Sequence, residues 1–100
     1  MITKVAQWLS QQPDLGRARV DQCAEDMGYT RYKFYELFNE SGGCPFQELK
    51  DVERMSRLRK LQDQDPSIDG EQCAKVLGFC NGDVFRKWYY RNFNERWSER

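Results

Sequence analysis

The stretch that decides the fold is residues 22–29, QCAEDMGY, which recurs as residues 72–79, QCAKVLGF. Each copy carries a Cys-Ala pair, then a glycine, then an aromatic residue, at the same spacing. A small residue in one helix, a glycine where the chain turns left-handed and a second helix after it form the helix-turn-helix pattern. The repeat therefore predicts two helix-turn-helix units in tandem. A helical bundle with duplicated packing is the alternative.

Proline and glycine punctuate the rest of the chain, and the segments between them have the spacing of helices. Few residues are β-branched and no stretch alternates as a strand would, so the predicted fold class is all-α. Helix starts are expected at Thr30, at Asp69 with Gln72 as a capping box, and at Asn81. Breaks are expected at residues 12–14, Gly28, 42–45, 65–67 and Gly78, and Asn94 suits a left-handed helix exit.

A long fourth helix is expected from Pro45 to the break at residues 65–67. Its apolar residues recur every three positions from Phe46 to Leu61, and each such step falls about 60° short of a full turn. The apolar stripe therefore winds around the helix, which indicates a linker between two packed units; one broad apolar face is the alternative. The expected organisation is a first helix-turn-helix subdomain at 1–43, a linker helix at 44–64 and a second subdomain at 65–100.

Composition excludes several classes of protein. The chain has 39% hydrophobic residues but no apolar run long enough for a bilayer, and its start does not resemble a secretory signal, so we expect a cytoplasmic protein without a membrane partner. The four cysteines form no CxxC pair and histidine is absent, so neither a metal nor another cofactor is expected. Without a Cys-His or Ser-His pair or a glycine-rich phosphate loop, we expect no enzyme activity.

The second helix of each unit carries the candidate DNA contacts, because such a helix can enter the major groove. In the third helix Phe34, Leu37 and Phe38 are expected to face the core. The residues on its opposite side, with Tyr35 alternatively covering the core edge, are Arg31, Tyr32, Tyr35 and Glu36. In the sixth helix the core residues are Phe85, Trp88 and Tyr89, and the candidate contacts are Asn81, Gly82, Asp83, Arg86, Lys87 and Arg91.

Charge distribution decides how a neutral chain could bind DNA. The net charge is zero and the pI is about 6.3, which disfavours nucleic-acid binding by the chain as a whole. From Arg86 onward, however, five basic residues stand against two acidic ones, namely Arg86, Lys87, Arg91, Arg96 and Arg100 against Glu95 and Glu99. The sequence therefore predicts that the second unit supplies most of the attraction to DNA, although a solvated helix face would look the same.

These residues resemble the DNA-binding region of the AraC/XylS family of bacterial transcription regulators. The resemblance runs from about Val5 to Arg96 and is carried by residues 20–29, the turn at 43–46 and the second repeat. Its aromatic positions are Phe34, Phe38, Phe79, Phe85, Tyr89 and Phe93. It implies a stand-alone regulator of the Mar/Sox/Rob type, with no ligand domain and with two recognition helices that enter successive major-groove segments of double-stranded DNA.

Several positions depart from the family pattern, and they support a second hypothesis. Glu36, Gly82 and Asp83 stand where basic or polar contact residues are usual, although a carboxylate can accept a hydrogen bond from cytosine N4. An interaction module on the same scaffold, such as an anti-activator that binds RNA polymerase or a related regulator, would need no DNA contact. The neutral charge favours this alternative, whereas the paired units and the basic sixth helix favour a DNA-binding regulator.

Overall fold

The computed structural model describes residues 2–40 and 45–97, and all of the regular secondary structure in these ranges is helical. The predicted all-α class is confirmed. The expected end of the third helix at Gly42 and Gly43 lies outside the described residues, as does most of the turn at 43–46. The α-helices are α1 Ile2–Ser10, α2 Val20–Asp26, α3 Arg31–Glu40, α4 Phe46–Gln64, α5 Gly70–Leu77 and α6 Gly82–Phe93, and a short 3-10 helix spans Leu15–Arg17.

The chain divides into two compact units, Met1–Arg54 and Met55–Arg100, and the division falls within α4. Phe46 and Leu49 pack against the core of the first unit, whereas Met55, Leu58 and Leu61 belong to the core of the second. Val52, between these two groups, is 60% exposed. The apolar stripe of α4 is therefore shared between two cores. None of the described helices is long and apolar enough to cross a membrane.

The first unit is built around α1, α2 and α3. Its core includes Leu9, Cys23 and Phe34, none of which has any exposed surface. The indole Nε1 of Trp8 donates a hydrogen bond of 2.9 Å to Asp26 Oδ2, which ties α1 to α2. Burial, together with the Asp26 carboxylate, raises the pKa of the Cys23 thiol to about 11. Cys23 is thus a free cysteine buried as a small hydrophobe, and the same holds for Cys73 in the second unit.

The second unit packs α5 and α6 around a cluster of aromatic rings. Asp69 Oδ1 accepts a hydrogen bond from Gln72 N at 2.9 Å, and Gln72 Oε1 accepts one from Asp69 N at 3.3 Å, which confirms the capping box at the start of α5. Phe85 and Trp88 of α6 are buried in the core. The partly buried aromatic residues packed against that core are Phe79, Tyr89, Phe93 and Trp97.

The repeated turn has the same backbone geometry in both units. Gly28 and Gly78 are left-handed, with φ of 79° and 81°, and the amide of the aromatic residue after each glycine donates a 2.9 Å hydrogen bond to Ala24 O or Ala74 O. This six-to-one bond is that of a Schellman motif, which satisfies carbonyls at a helix end. The prediction that Gly28 and Gly78 occupy equivalent turns is confirmed.

The helix that follows each turn also begins in the same way, with a side-chain cap. The segment between the glycine and the cap is one residue longer in the second unit. Thr30 Oγ1 accepts a hydrogen bond from Lys33 N at 3.2 Å, and Asn81 Oδ1 accepts one from Val84 N at 3.0 Å, so both predicted caps are confirmed. Cys80 is an additional residue between the second turn and its cap. Equivalent positions in the two helices therefore lie at the same number of residues from the cap. Phe34 and Phe85, each four residues after its cap, are such a pair.

Substituting Gly28 tests the turn directly. No atom lies within 4 Å of a Cβ added at this position, so Gly28→Ala introduces backbone strain without a collision. A left-handed conformation costs about 1–2 kcal/mol for an L residue. The lower entropy of the unfolded chain offsets roughly 0.4–1 kcal/mol of this. We expect urea denaturation to show a net loss of about 1 kcal/mol for Gly28→Ala and a smaller loss for Gly28→Asn, because asparagine tolerates this region. Equal losses for the two variants would contradict a left-handed turn.

Candidate nucleic-acid interface

Helices α3 and α6 follow the repeated turns and place similar positions on their outer sides, but the residues there differ in charge. Counted from the caps Thr30 and Asn81, the corresponding outward positions are Tyr35 with Arg86, Glu36 with Lys87, and Glu40 with Arg91. The helix α3 thus carries an aromatic residue and two acids where α6 carries three cations. Two surfaces in the same structural position therefore have opposite electrostatic character.

On α3 the four predicted contact residues are all exposed. Tyr32 has 80% of its surface exposed, and Tyr35 has 39% exposed while the edge of its ring packs on Phe34 at 6.2 Å between centroids. The Arg31 Nε lies 3.2 Å from Asp21 Oδ1 of α2, and its guanidinium carbon is 5.8 Å from the centre of the Tyr35 ring. The sequence allowed Tyr35 either to cover the core edge or to be exposed as a contact residue. In the structure its ring packs on Phe34 at the core edge and is also partly exposed to solvent.

At the start of α6 the structure corrects one predicted site residue. Gly82 was expected on the exposed side, but it is buried. Its amide donates a 3.2 Å hydrogen bond to Glu71 Oε2 of α5, and a Cβ at this position would collide with the Glu71 carboxylate. Asn81 serves as the helix cap, while Asp83 is exposed beside it. The glycine allows the start of α6 to approach Glu71 closely, and it is not positioned to contact a ligand.

The structure also corrects the environment of Arg86, which the sequence placed in a region with few acids. Its Nη1 lies 3.1 Å from Asp83 Oδ1 and 3.9 Å from Glu71 Oε1, and the side chain is 35% exposed. Asp83 is one turn before Arg86, but Glu71 belongs to α5. Two carboxylates therefore hold this guanidinium close to the helix start.

Lys87 and Arg91 are the exposed cations of α6. No ion pair joins either of them to another residue in the parts of the chain that the structure describes. They are four residues apart, so they lie on one side of the helix. An exposed, unpaired pair of cations at this spacing can approach successive phosphates without first losing a carboxylate partner.

A groove with a volume of about 540 Å³ borders this surface, and its lining residues are Arg86, Lys87, Tyr90, Arg96 and Trp97. Two of these residues, Arg96 and Trp97, come from the segment after α6. Asn94, with φ of 56°, ends the helix in a left-handed conformation, as predicted. The Trp97 ring then packs edge-on against Phe85 and Tyr89, at 5.0 and 5.1 Å between centroids. These contacts bring Arg96 beside α6.

Sequence reasoning included Arg96 in the basic C-terminal segment but did not place it, Tyr90 or Trp97 in the site. The left-handed exit at Asn94 was the one signal that the chain reverses there, since a chain that leaves an αL position changes direction. Tyr89 adds a second constraint, because its hydroxyl donates a 2.9 Å hydrogen bond to Glu95 Oε1. This bond engages the carboxylate immediately before Arg96.

Arg54, a further cation, is not part of this surface. It lies in α4 within the first unit, is only 6% exposed and has its Nη1 3.9 Å from Asp51 Oδ1. Burial lowers the pKa of its guanidinium, and Asp51 opposes this effect. Its charge is therefore held inside the unit.

The groove beside α6 is thus cationic and aromatic, which suits phosphate and ring-bearing ligands. No group of three or more metal-ligating side chains occurs in residues 2–40 and 45–97. Comparisons of the chain with protein-family models, with curated proteins and with solved structures gave no match. The resemblance to the AraC/XylS family therefore remains a prediction that rests on the residues quoted above.

Proposed function

We propose that this protein is a sequence-specific regulator of transcription of the AraC/XylS type, which binds double-stranded DNA through two helix-turn-helix units. The observation that carries the proposal is the duplicated turn, with its matching glycine φ values and hydrogen bonds to Ala24 and Ala74. In this proposal α3 and α6 are the recognition helices, and α4 is the helix that links the two units.

The helix α6 provides most of the electrostatic attraction in this mechanism. Lys87 and Arg91 are exposed, and neutralising phosphates with such side chains releases counterions from the duplex. Arg86 exchanges its carboxylate partners for DNA, so its contribution is reduced by the loss of the contacts with Asp83 and Glu71. Asp83 itself is exposed, and it can read cytosine through N4.

The helix α3 contributes to recognition more than to attraction. Tyr32 and Tyr35 present ring surface that can contact thymine methyl groups or sugars. Glu36, with Lys33 Nζ 3.7 Å from its Oε1, adds negative charge that opposes the approach of phosphates. The first unit therefore favours particular base edges over general binding to the backbone.

A fluorescence-polarisation titration tests the proposal, with mixed-sequence duplex DNA at several salt concentrations. We expect binding that weakens linearly with the logarithm of salt concentration. Glu36→Gln should bind equally well or more tightly, because an acid is removed from the face of α3. Glu25→Gln, which removes an exposed acid from α2, is the matched control for the change in charge. Tighter binding by both variants to the same extent would assign the effect to net charge alone, and no binding by the wild type at low salt would refute the proposal.

An interaction module is the second candidate function, and the surface of α3 favours it. Tyr32 is a largely exposed aromatic residue, and such residues are common at the centre of protein interfaces. Arg31 and Arg86 are both held by carboxylates. In this alternative α3 contacts RNA polymerase or a related regulator. This alternative would be supported if the wild-type protein bound such a partner but not DNA, and if Tyr32→Ala abolished binding to the partner.

A further inference from the structure

The groove beside α6 combines three cations with two aromatic residues. Arg86, Lys87 and Arg96 supply the positive charge, Tyr90 and Trp97 supply the rings, and none of the acidic side chains that the structure describes lines it. Its volume of about 540 Å³ lies within the roughly 300–1,000 Å³ that small-molecule sites occupy. All five residues belong to the second unit.

The cations of the groove differ in how strongly they are already engaged. Arg86 is held by Asp83 and Glu71 at 3.1 and 3.9 Å. Neither Lys87 nor Arg96 forms an ion pair with any residue that the structure describes. Two unpaired cations that line one groove favour an occupant with more than one negative charge, because each can then form a charge-assisted hydrogen bond.

The aromatic residues of the groove indicate that the ligand also carries a planar ring. Tyr90 is 54% exposed, so much of its ring faces outward. Trp97 is held by edge-on contacts with Phe85 and Tyr89, which position its indole as part of the groove wall. Planar bases stack on such rings, and this stacking is insensitive to the identity of the base.

We propose that this groove binds a nucleoside di- or triphosphate, with its base on the Tyr90 and Trp97 rings and its phosphates on Lys87 and Arg96. Nucleotide binding to the groove does not depend on the proposed function. Competition between the nucleotide and DNA does rest on it, because Lys87 also belongs to the α6 surface proposed to attract DNA. A bound nucleotide neutralises that cation and adds negative charge next to Arg91, so it competes with duplex DNA.

Isothermal titration calorimetry with ATP in magnesium-free, low-salt buffer tests the site without DNA. We expect saturable binding that is tighter for ATP than for either adenosine or inorganic tripolyphosphate, because each of these lacks half of the contacts. Arg96→Gln and Lys87→Gln should each weaken ATP binding about tenfold, the usual effect of losing one charge-assisted hydrogen bond. Tyr90→Ala should reduce the preference for ATP over tripolyphosphate, because it leaves Trp97 as the remaining ring for the base.

The matched control is Lys75→Gln, which removes an exposed cation from α5 outside the groove and should leave ATP binding unchanged. Circular dichroism and thermal melting identify any variant that fails to fold, and Arg96 is the safest position because it lies beyond the last helix. Absence of saturable ATP binding, equal affinity for ATP and tripolyphosphate, or equal weakening by Lys75→Gln would each overturn the proposal. A separate polarisation titration with duplex DNA shows whether the proposed function fails while nucleotide binding holds.

Discussion

Phe85→Ala is expected to destabilise the second unit by about 3–5 kcal/mol, the range for truncating a buried phenylalanine. The Phe85 side chain has no exposed surface and lies at the centre of the aromatic cluster. Its ring contacts those of Phe79, Trp88, Tyr89 and Trp97, with centroids 5.0–6.1 Å apart. Whole domains are stable by only about 5–15 kcal/mol, so this loss removes most of the stability of a small unit.

Urea denaturation followed by tryptophan fluorescence measures this effect, because Trp88 and Trp97 report on the second unit. Val84→Ala is the control, since the adjacent side chain is exposed and should change stability by no more than about 0.5 kcal/mol. Phe38→Ala should produce a loss of the same range as Phe85→Ala in the first unit, where Phe38 stacks on Phe34 at 5.7 Å between centroids. A denaturation midpoint for Phe85→Ala equal to that of Val84→Ala would contradict the described core.

Reversing two charges on α6 is the second large effect expected, and it rests on the proposed DNA binding. Each phosphate contact contributes a slope of about 0.9 in log affinity against log salt. The double substitution Lys87→Glu with Arg91→Glu should therefore lower the salt slope by about two units and weaken binding on the order of a hundredfold at 0.1 M salt. Polarisation titrations on random and preferred duplexes measure both quantities. The loss should appear on both duplexes, because phosphate contacts carry no sequence information.

A matched double variant separates local contacts from total charge. Lys60→Glu with Lys75→Glu changes the net charge by the same amount at exposed positions of α4 and α5. We expect it to keep the wild-type salt slope and to lose only a few-fold in affinity. Identical behaviour of the two double variants would show that α6 makes no specific phosphate contact, and a loss confined to the preferred duplex would assign Lys87 and Arg91 to base contacts instead.

The sequence by itself determined the features that depend on residues close together along the chain, namely the turns, the helix caps and the buried face of each helix. The left-handed turns at Gly28 and Gly78, the capping box at Asp69 and the exit at Asn94 were all predicted, because each depends on residues within one helical turn. The same holds for the buried positions of Phe34 and Phe85, which follow from spacing along a single helix. The repeat indicated that these local features occur twice.

The tertiary structure alone decided the character of the candidate site. Glu71 buries Gly82 and holds Arg86, and no pattern within α6 indicates that contact because Glu71 belongs to another helix. The groove likewise depends on the packing of Trp97 against Phe85, which brings Arg96 beside α6 after the chain reverses. Charges and rings can be counted along the chain, but their electrostatic and stacking partners depend on distances across it, and only packing between elements sets those distances.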